Sequence, residues 1–426
     1  MRDFLPTDKA KREHALSTIR RTFSSHGFDE IETPMVEDYD RLHSGLGGDN
    51  EKLAFNILKR GLSDEDVAAG ASDQASLTDL GLRYDLTVPL ARYYATHRAE
   101  LPPVFRSIQI GPVWRAERPQ KGRYRQFVQC DIDIIGESSN LAEVELITAT
   151  VATLRELGIE GCTVRINDRR LLIGMLETLG FPEASHAQVL ITIDKLDKVG
   201  QTGVVAELRD RGVDAAAVDA LEAFFNRPQT LEVNSFGERA IRKALPAGVD
   251  DVVVAELDAL GRAVLAATSV GVDDPSPLDG PLVFDSFLVR GMGYYTGTIF
   301  EIAHPDLGYS LGGGGRYDGM IGRFLGQDVP AAGSSIGFER IVDLVELPSD
   351  AIDDAIVLVH DRDVPPVTLV ALKAELVATG RRVRLEPRVK NLKALLDRVT
   401  AAGFGSFAFV TPTTTLATLD PKSLRS

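Results

Sequence analysis

The chain has 426 residues, of which 44% are hydrophobic and 26% charged, and its formal net charge is −15 at pH 7. This length suits two or three domains, and the composition is ordinary for a soluble globular protein. No apolar run approaches the roughly 20 residues that span a bilayer, and the N-terminal sequence lacks the apolar core of a signal peptide. We therefore expect a cytoplasmic protein without membrane association. Two cysteines, Cys130 and Cys162, exclude a disulfide framework and a multi-cysteine zinc site.

The acidic balance argues against general nucleic-acid binding but leaves room for one specific RNA partner. Bulk negative charge weakens long-range attraction to phosphates, whereas a local group of basic side chains still sets the contacts. One such group occurs within eleven residues and comprises Arg115, Arg118, Lys121, Arg123 and Arg125.

The first predicted element is a helix that begins at Pro6 and Thr7 and ends at Gly27. Its apolar positions recur at helical spacing, and glycine commonly ends a helix. Residues 61–80 are polar and rich in Asp, Ala, Ser and Gly, which predicts a surface insertion.

Residues 104–136 predict two β-strands joined by a polar loop, Glu117 to Gly122. In the second strand apolar and polar residues alternate, so the polar side chains share one face of the sheet. The polar set is Arg123, Arg125, Gln129, Asp131 and Asp133, with Arg115 and Glu117 within reach from the first strand. Guanidinium groups bind phosphate oxygens and carboxylates accept from ammonium groups, so this face suits a ligand that carries both. From the residues alone, a ligand-binding face and a solvated outer face of the hairpin are about equally well supported.

After the hairpin, Asn140 and Glu143 fit the capping pattern of a helix that would end at Gly158. Residues 161–250 are rich in helical patterns and contain no recognisable catalytic motif. From Phe284 the chain becomes strand-like and glycine-rich.

A short linker is predicted around residues 347–354. Beyond it, strands alternate with helices as far as the segment SFAFVT. Alternation at this spacing predicts a small, mostly parallel α/β sheet.

The segment WRAERPQKGRYRQFVQ, residues 114–129, resembles motif 2 of the class II aminoacyl-tRNA synthetases, in the wording typical of histidyl-tRNA synthetases. Other segments resemble class II motif 1, a histidine-type segment, two further histidine-type signatures and class II motif 3. They are, in chain order, GFDEIETPMVE (27–37), LRYDLTVPLARYYA (82–95), LVRGMGYYTGTIFE (288–301), LGGGGRYDGM (311–320) and GSSIGFERIVDL (333–344). Several motifs in the right order are far more specific than any one of them.

The resemblance implies an α+β fold, in which an antiparallel class II sheet of six to seven strands is flanked by helices. It implies a catalytic core at residues 1–160, a helical insertion at 161–250, the continued core at 251–346, and an anticodon-binding-like α/β domain at 354–426. That last domain matches the family loosely and is short at its C-terminus. Motif 1 builds a two-fold interface in this class, so a homodimer is expected.

The implied reaction activates L-histidine with ATP to histidyl-adenylate and then transfers the histidyl group to tRNA(His). Mg²⁺ is expected as the counter-ion of ATP, with no dedicated protein metal site. Such phosphate chemistry depends on positioning and charge stabilisation. The residues at catalytic motif positions are Arg115, Arg290 and Arg340. The residues implied to bind ATP are Arg115, Glu117, Arg123, Arg316, Ser335, Gly337 and Arg340, with Tyr317 a further candidate beside Arg316.

The residues implied to bind histidine are Asp85, Leu86, Thr87, Gln129, Asp133, Arg290, Tyr294 and Tyr295. Asp85, Thr87 and Gln129 would receive the α-ammonium group. Asp133 and Tyr295 would bind the two sides of the imidazole, whose ring nitrogens need opposed polar partners. In the family's arrangement, Arg290 would face the α-phosphate opposite Arg115.

The chain departs from the family wording at Gly293, where RGLDYY has an aspartate, and in the KNLKALLDRV segment of the C-terminal region. Two other interpretations therefore stay open beside the ligase. One is a paralogue that activates histidine or an analogue for a non-tRNA acceptor. The other is a catalytically silent regulatory subunit, which the intact set of arginines disfavours.

Overall fold

A computed structural model describes residues 1–43, 53–118, 124–227, 236–269, 281–290, 294–346 and 355–424. The chain divides into two compact units, each with its own sheet. The larger unit comprises Met1 and Ser17–Leu344, and the smaller one comprises Arg2–Leu16 and Val345–Ser426. The predicted linker, residues 347–354, lies outside the described residues.

The larger unit is built on an eight-stranded sheet. Its strands in chain order are β1 (Asp29–Glu30), β5 (Phe105–Trp114), β6 (Gln126–Ile135), β7 (Thr163–Asp168), β8 (Leu282–Phe284), β9 (Thr298–Ala303), β10 (Gly312–Arg316) and β11 (Ala331–Gly337). Their spatial order is β1-β5-β6-β11-β10-β9-β7-β8. Neighbours are antiparallel except at the two edges, where β1 pairs with β5 and β7 with β8 in parallel. The α+β class is confirmed, and the sheet is wider than the six to seven strands expected because short strands extend both edges.

The predicted alternation in β6 appears as two different faces. Cys130, Ile132 and Ile134 are fully buried, and helix α5 (Leu141–Glu156) packs against β6 and β11. The polar residues between them, Gln129, Asp131 and Asp133, point to the opposite face because successive side chains of a strand alternate. The apolar face therefore anchors the strand and leaves the polar face available for a site.

A second, three-stranded sheet consists of β2 (Val36–Asp38), β4 (Thr78–Leu82) and β3 (Phe55–Leu58), in the order β2-β4-β3. The predicted surface insertion at 61–80 contains a short helix, α3 (Asp64–Gly70), which a Ser63–Asp66 capping box opens. The last residues of the 61–80 segment belong to β4, which is hydrogen-bonded to β2 on one side and to β3 on the other.

The helices of the larger unit flank the two sheets. In chain order they are α1 (Pro6–Ser25, which begins in the smaller unit), α2 (Tyr39–Leu42), α4 (Thr87–His97), α5, α6 (Arg169–Thr178), α7 (Glu183–Ile193), α8 (Leu196–Asp210), α9 (Ala215–Phe225), α10 (Glu238–Ala244), α11 (Asp251–Thr268), α12 (Asp318–Leu325) and α13 (Phe338–Ile341). The described helices α6 to α11 lie between Arg169 and Thr268, whereas the expected boundaries of the helical insertion were 161 and 250. Residues 163–168 belong to the central sheet instead.

The capping prediction for α5 is wrong. Asn140 has helical backbone angles and makes no side-chain cap; its amide donates to the carbonyl of Glu256. Glu143 is fully buried in a salt bridge with Arg316, 173 residues further along the chain. A tertiary ion pair has taken the side chain that the local pattern assigned to the cap. The predicted stop at Gly158 is confirmed by its φ of +73°.

The smaller unit contains a four-stranded sheet in the order β13-β12-β14-β15, from β12 (Ala355–His360), β13 (Arg382–Pro387), β14 (Ser406–Val410) and β15 (Lys422–Ser423). The first three strands pair in parallel, and β15 is antiparallel to β14. Helices α14 (Pro366–Ala378) and α15 (Leu392–Ala401) connect them. Separate apolar clusters cover the two faces of the sheet, as expected for buried parallel strands. The predicted α/β pattern is confirmed.

Across the described ranges, no helix combines the length and the apolar character needed to cross a bilayer.

Candidate functional site

A row of side chains crosses the polar face of the central sheet. The register aligns six residues from successive strands: Gln109, Asp131, Ser335, Gly313, Glu301 and Arg165. Directly opposed residues of paired strands point to the same face, so five side chains, with Gly313 between Ser335 and Glu301, form one polar strip. The strip joins parts of the chain that are more than 200 residues apart in sequence.

Glycines lie at the centre of the sheet, at positions where a Cβ atom would collide with neighbouring groups. A Cβ atom at Gly333 would lie 2.0 Å from Oδ1 of Asp133, and one at Gly314 would lie 1.8 Å from the carbonyl oxygen of Gly333. Gly313 has a φ of +153°, which side chains of L-residues rarely permit. These glycines line the space above the sheet and allow close approaches that a Cβ atom would block, and the run at 312–315 is part of strand β10 and not a flexible loop.

This space is a cavity of about 910 Å³, within the range typical of small-molecule sites. Most of the residues predicted for ATP and histidine line it together. They are Asp85, Thr87, Arg115, Glu117, Gln129, Asp133, Arg290, Tyr294, Tyr295, Ser335, Gly337 and Arg340.

The first of the three predicted catalytic arginines, Arg115, follows directly after β5. Its Nε donates to the carbonyl of Tyr84 over 2.9 Å, and its guanidinium lies 5.1 Å from the ring centre of Phe127. The stem is thus fixed on one side by a backbone acceptor and on the other by an aromatic face.

The other two predicted catalytic arginines come from later in the chain. Arg290 donates from Nη1 to Oε2 of Glu301 over 3.1 Å. Arg340 donates to the carbonyl of Ser310 and lies 5.7 Å from the ring centre of Tyr309. Three guanidinium groups from separate segments therefore line one cavity, which gives it strong potential for binding anions.

Three buried carboxylates occupy the same cavity. Burial raises the pKa of Asp85, of Asp131 and of Asp133, and the value for Asp133 reaches about 7. The pKa of Asp131 is raised further by the neighbouring charge of Asp133. Carboxylates in this environment are stabilised by a cationic ligand, since positive charge nearby restores the ionised form.

Gln129 adds an unsatisfied acceptor to this group. Its Nε2 donates to Oδ2 of Asp131 over 3.1 Å, and also approaches Oγ of Ser335. Its Oε1 is buried and has no hydrogen-bond partner among the described residues. An unpaired buried acceptor costs free energy, so its position at a cavity wall indicates a ligand that donates a hydrogen bond.

Tyrosines enclose the carboxylate end. Tyr317 is 2% exposed and donates its hydroxyl to Oδ1 of Asp133 over 2.5 Å. The rings of Tyr294 and Tyr295 lie 4.8 Å apart, and Tyr294 meets the ring of Tyr317 edge-on at 6.0 Å. The arrangement provides an aromatic wall with hydroxyl groups, suited to a small planar ring.

Arg316 and Leu86 do not line the cavity. The guanidinium of Arg316 forms a bidentate salt bridge with buried Glu143 and also donates to the carbonyl of Ser139. This pairing uses its donors within the protein itself, which argues against Arg316 as a nucleotide contact. Leu86 is buried, and its carbonyl accepts from Gln109. Arg123 and Gly293 lie outside the described residues.

The sequence assigned no role to several residues that line the cavity: Asp131, Glu301, Arg165, Asp194, Asp197 and Lys198. The alternation in β6 already placed Asp131 on the polar face, and that signal could have found it. Asp194, Asp197 and Lys198 come from the junction of α7 and α8, which only the tertiary fold brings here.

The cavity lining thus contains one group of carboxylates and tyrosines and a second group of three arginines, and the two groups meet where Arg290 contacts Tyr295. This division suits a ligand pair in which an ammonium group and a planar ring occupy one end and phosphates the other.

Comparison with known proteins gives the family. A family model described as histidyl-tRNA synthetase matches residues 1–341. The histidine–tRNA ligase of Leifsonia xyli subsp. xyli is 62% identical over 427 residues, covering 100% of this chain and 97% of that protein. A probable histidine–tRNA ligase of Tropheryma whipplei is 42% identical over 420 residues, covering 97% and 95%.

Two solved structures are similar over nearly their whole length. The histidyl-tRNA synthetase of Nostoc sp. PCC 7120 superposes with a TM-score of 0.76 at 25% identity, covering 100% of this chain and 93% of that one. An ATP phosphoribosyltransferase regulatory subunit/histidyl-tRNA synthetase of Bacillus halodurans gives 0.73 at 20% identity, with 97% of both chains covered, and supports the fold alone. The family model and the full-length identity agree, and the chain belongs to the histidyl-tRNA synthetase family.

Proposed function

We propose that this protein is a histidine–tRNA ligase, an ATP-dependent enzyme that activates L-histidine as histidyl-adenylate and transfers it to tRNA(His). Family membership supports the reaction, and the two-ended cavity supports the substrates. The observation that carries the amino-acid half is the buried, unpartnered Oε1 of Gln129 beside the carboxylates of Asp85 and Asp131.

In this proposal the carboxylate end binds histidine. The α-ammonium donates to Oε1 of Gln129, to Asp85 and to the hydroxyl of Thr87. The imidazole lies between Asp133 and Tyr295, so that a carboxylate and a phenol face its two nitrogens. Tyr317 already holds one oxygen of Asp133, which fixes the direction from which the ring is met.

The arginine end binds ATP. Arg115 and Arg290 approach the α-phosphate, Arg340 the γ-phosphate, and the backbone at Ser335 and Gly337 packs beside adenine. The acidic residues Glu117 and Glu339 line the same cavity and would offer carboxylate oxygens of the kind that Mg²⁺ binds. Bound Mg²⁺ would neutralise phosphate charge; the arginines position the α-phosphate for attack.

The chemistry then needs little acid–base help from the protein. A carboxylate oxygen of histidine attacks the α-phosphorus, the bond to the bridging oxygen breaks, and pyrophosphate leaves with the electron pair. Arg115 and Arg290 stabilise the charge that accumulates on the α-phosphate oxygens, which is the main contribution expected of fixed donors. A tRNA hydroxyl next attacks the carbonyl carbon of the mixed anhydride, the bond to the phosphate oxygen breaks, and AMP leaves while one of its phosphate oxygens accepts the hydroxyl proton.

The remaining assignments are part of the same proposal. The helical segment and the α/β unit bind tRNA, the enzyme acts in the cytoplasm, and two copies form a homodimer through the motif 1 region. Exposed apolar side chains there, Met35 at 47% and Val36 at 39%, support a covered surface. Retention of all three arginines favours a ligase over a silent regulatory subunit.

The test is histidine-dependent ATP–pyrophosphate exchange, measured with each of the twenty amino acids in turn, alongside charging of total tRNA. Exchange with histidine alone, together with charging, is the expected result. Exchange without charging would indicate a different acceptor. No exchange with any amino acid would refute the proposed activity.

A further inference from the structure

A cluster of charged side chains continues the polar strip beyond the residues assigned above. Glu301 on β9 accepts from Arg290 over 3.1 Å and lies 3.6 Å from Arg165 on β7, its direct cross-strand neighbour. Arg165 donates to Oδ2 of Asp285 over 2.7 Å and to Oδ2 of Asp197 over 2.8 Å. A chain of contacts therefore runs from Arg290 to helix α8.

Burial makes the contacts of this series stronger than those of ordinary surface ion pairs. The side chains of Arg290, Glu301 and Arg165 are 23%, 22% and 25% exposed, whereas that of Asp197 is 69% exposed. Partly buried pairs are screened less by salt and water than exposed ones. Glu301 lies between two guanidinium groups, so its carboxylate is held from both sides.

The space around Arg290 is also restricted. A Cβ atom at Gly313 would lie 2.7 Å from Nη1 of Arg290, so the guanidinium packs directly against the glycine backbone. With Gly313 beneath it and Glu301 beside it, the head group has a defined position. Glu301 and Arg165 can therefore influence the reaction through the position of Arg290, without contacting the reacting atoms themselves.

The series of contacts ends at Asp197, which lies in a distinct part of the helical segment. Helix α8 is interrupted at Gly200, whose φ of 69° and ψ of 173° are not helical. The residues before this break include Asp194, Asp197 and Lys198, all of which line the cavity. The short piece 194–199 is thus a wall of the site, separated by a glycine from the helix that follows.

We propose that Glu301 and Arg165 are positioning residues, which hold the Arg290 guanidinium at the phosphate end of the cavity and couple it, through Asp197, to the 194–199 wall of the helical segment. This inference rests on the proposed function, because Arg290 is assigned there to the α-phosphate. Neither residue is a catalytic residue: both act through Arg290.

The test compares histidine-dependent pyrophosphate exchange in the wild-type protein and in the Glu301→Gln, Arg165→Gln and Glu301→Gln/Arg165→Gln variants. Loss of correct positioning should lower kcat about 10- to 100-fold in Glu301→Gln, with the KM for histidine changed less than about threefold. Because Arg165 acts through Glu301, the double variant should be no slower than Glu301→Gln alone. Additive losses, or a kcat within about twofold of wild type for Glu301→Gln, would overturn the proposal.

A substitution at an exposed residue provides a second test that does not depend on a buried side chain. Asp197→Asn removes the tie to the helical segment and should lower kcat about two- to fivefold, as expected for a pair between one exposed and one half-buried partner. The matched control is Asp219→Asn, which removes an exposed partner of Arg209 between α8 and α9 and should leave kcat unchanged. Equal kcat values for the two variants would refute the coupling to the 194–199 wall.

The two levels of inference can be separated. A wild-type protein without histidine-dependent exchange refutes the proposed function before any variant is compared. An active wild type whose Glu301→Gln variant keeps full kcat refutes only the positioning role.

Discussion

Tyr317 donates its hydroxyl to Oδ1 of Asp133 over 2.5 Å, and both side chains are buried on the polar face of the central sheet. The partners are 184 residues apart in sequence. Burial raises the pKa of Asp133 to about 7, while the donated hydrogen bond from Tyr317 favours the ionised form and opposes that rise. The tyrosine therefore controls how much of this carboxylate is charged at neutral pH.

The Tyr317→Phe variant should shift the pH dependence of histidine use. Without the hydroxyl, the pKa of Asp133 rises above its present value of about 7. An ionised Asp133 is needed to accept from the imidazole, so kcat/KM for histidine increases with pH, and in the variant this increase moves to higher pH. Pyrophosphate exchange across the neutral pH range measures the shift. The imidazole of the substrate titrates in the same range but cannot move between variants, so an unmoved profile would contradict the role of Tyr317.

The Arg290→Ala variant should lose more than about 100-fold in the rate of histidyl-adenylate formation, the scale associated with a key electrostatic contact. Arg262→Ala is the control, because Arg262 is 74% exposed and pairs with Asp258 on its own helix. Single-turnover adenylate formation measures both. Near-normal adenylation in Arg290→Ala would remove this residue from the mechanism.

The Asp133→Ala variant should raise the KM for histidine much more than the KM for ATP. Asp133 belongs to the carboxylate group of the cavity lining, which is assigned to histidine, and not to the arginines assigned to phosphates. The two KM values, measured in the same exchange assay, provide an internal control. Equal increases in both would mean that Asp133 supports the structure rather than the amino acid.

The Gly333→Ala variant should mimic part of that defect. The added methyl group would lie 2.0 Å from Oδ1 of Asp133, so the carboxylate must move, and the KM for histidine should rise by at least about tenfold, equivalent to the loss of one charge-assisted hydrogen bond. Gly319→Ala, where a Cβ atom meets nothing within 4 Å, is the matched control. Similar KM values for the two variants would show that Asp133 can relocate without loss.

The Arg316→Leu variant should destabilise the protein without changing substrate affinity. Its partner Glu143 is fully buried, and breaking a buried ion pair leaves one charge uncompensated, at a cost of about 3–5 kcal/mol. The expected result is a lower Tm with unchanged KM values for ATP and histidine, when activity is measured well below the Tm. A raised KM for ATP at unchanged Tm would restore Arg316 as a nucleotide contact.

The sequence predicted those parts of the molecule that local patterns and motif wording determine. Alternation in β6 located Gln129 and Asp133 on one face, and the glycine at 158 correctly marked the end of a helix. Motif positions brought Arg115 and Arg340 to the same cavity. The first two features depend on backbone geometry set by a few neighbouring residues, and the third depends on motif wording.

The failures have a different physical origin. Glu143 was assigned to a helix cap because its local spacing fits one, but Arg316 competes for it from a distant strand. The Asp194–Lys198 wall has no motif, since its position depends on how the helical segment packs. Periodicity within a segment does not reveal contacts made across the fold, whether the contact is an ion pair, as for Glu143, or the packing of a helical segment, as for the 194–198 wall.

The polar strip also has a consequence for how the protein becomes active. Gln109, Asp131, Arg165, Glu301, Gly313 and Ser335 come together only when strands from the first third and the last third of the chain have paired. Such long-range pairing is slow compared with helix formation. During synthesis, therefore, no nascent chain ending before Ser335 can assemble the complete cavity floor. The onset of adenylation activity would report completion of the whole sheet.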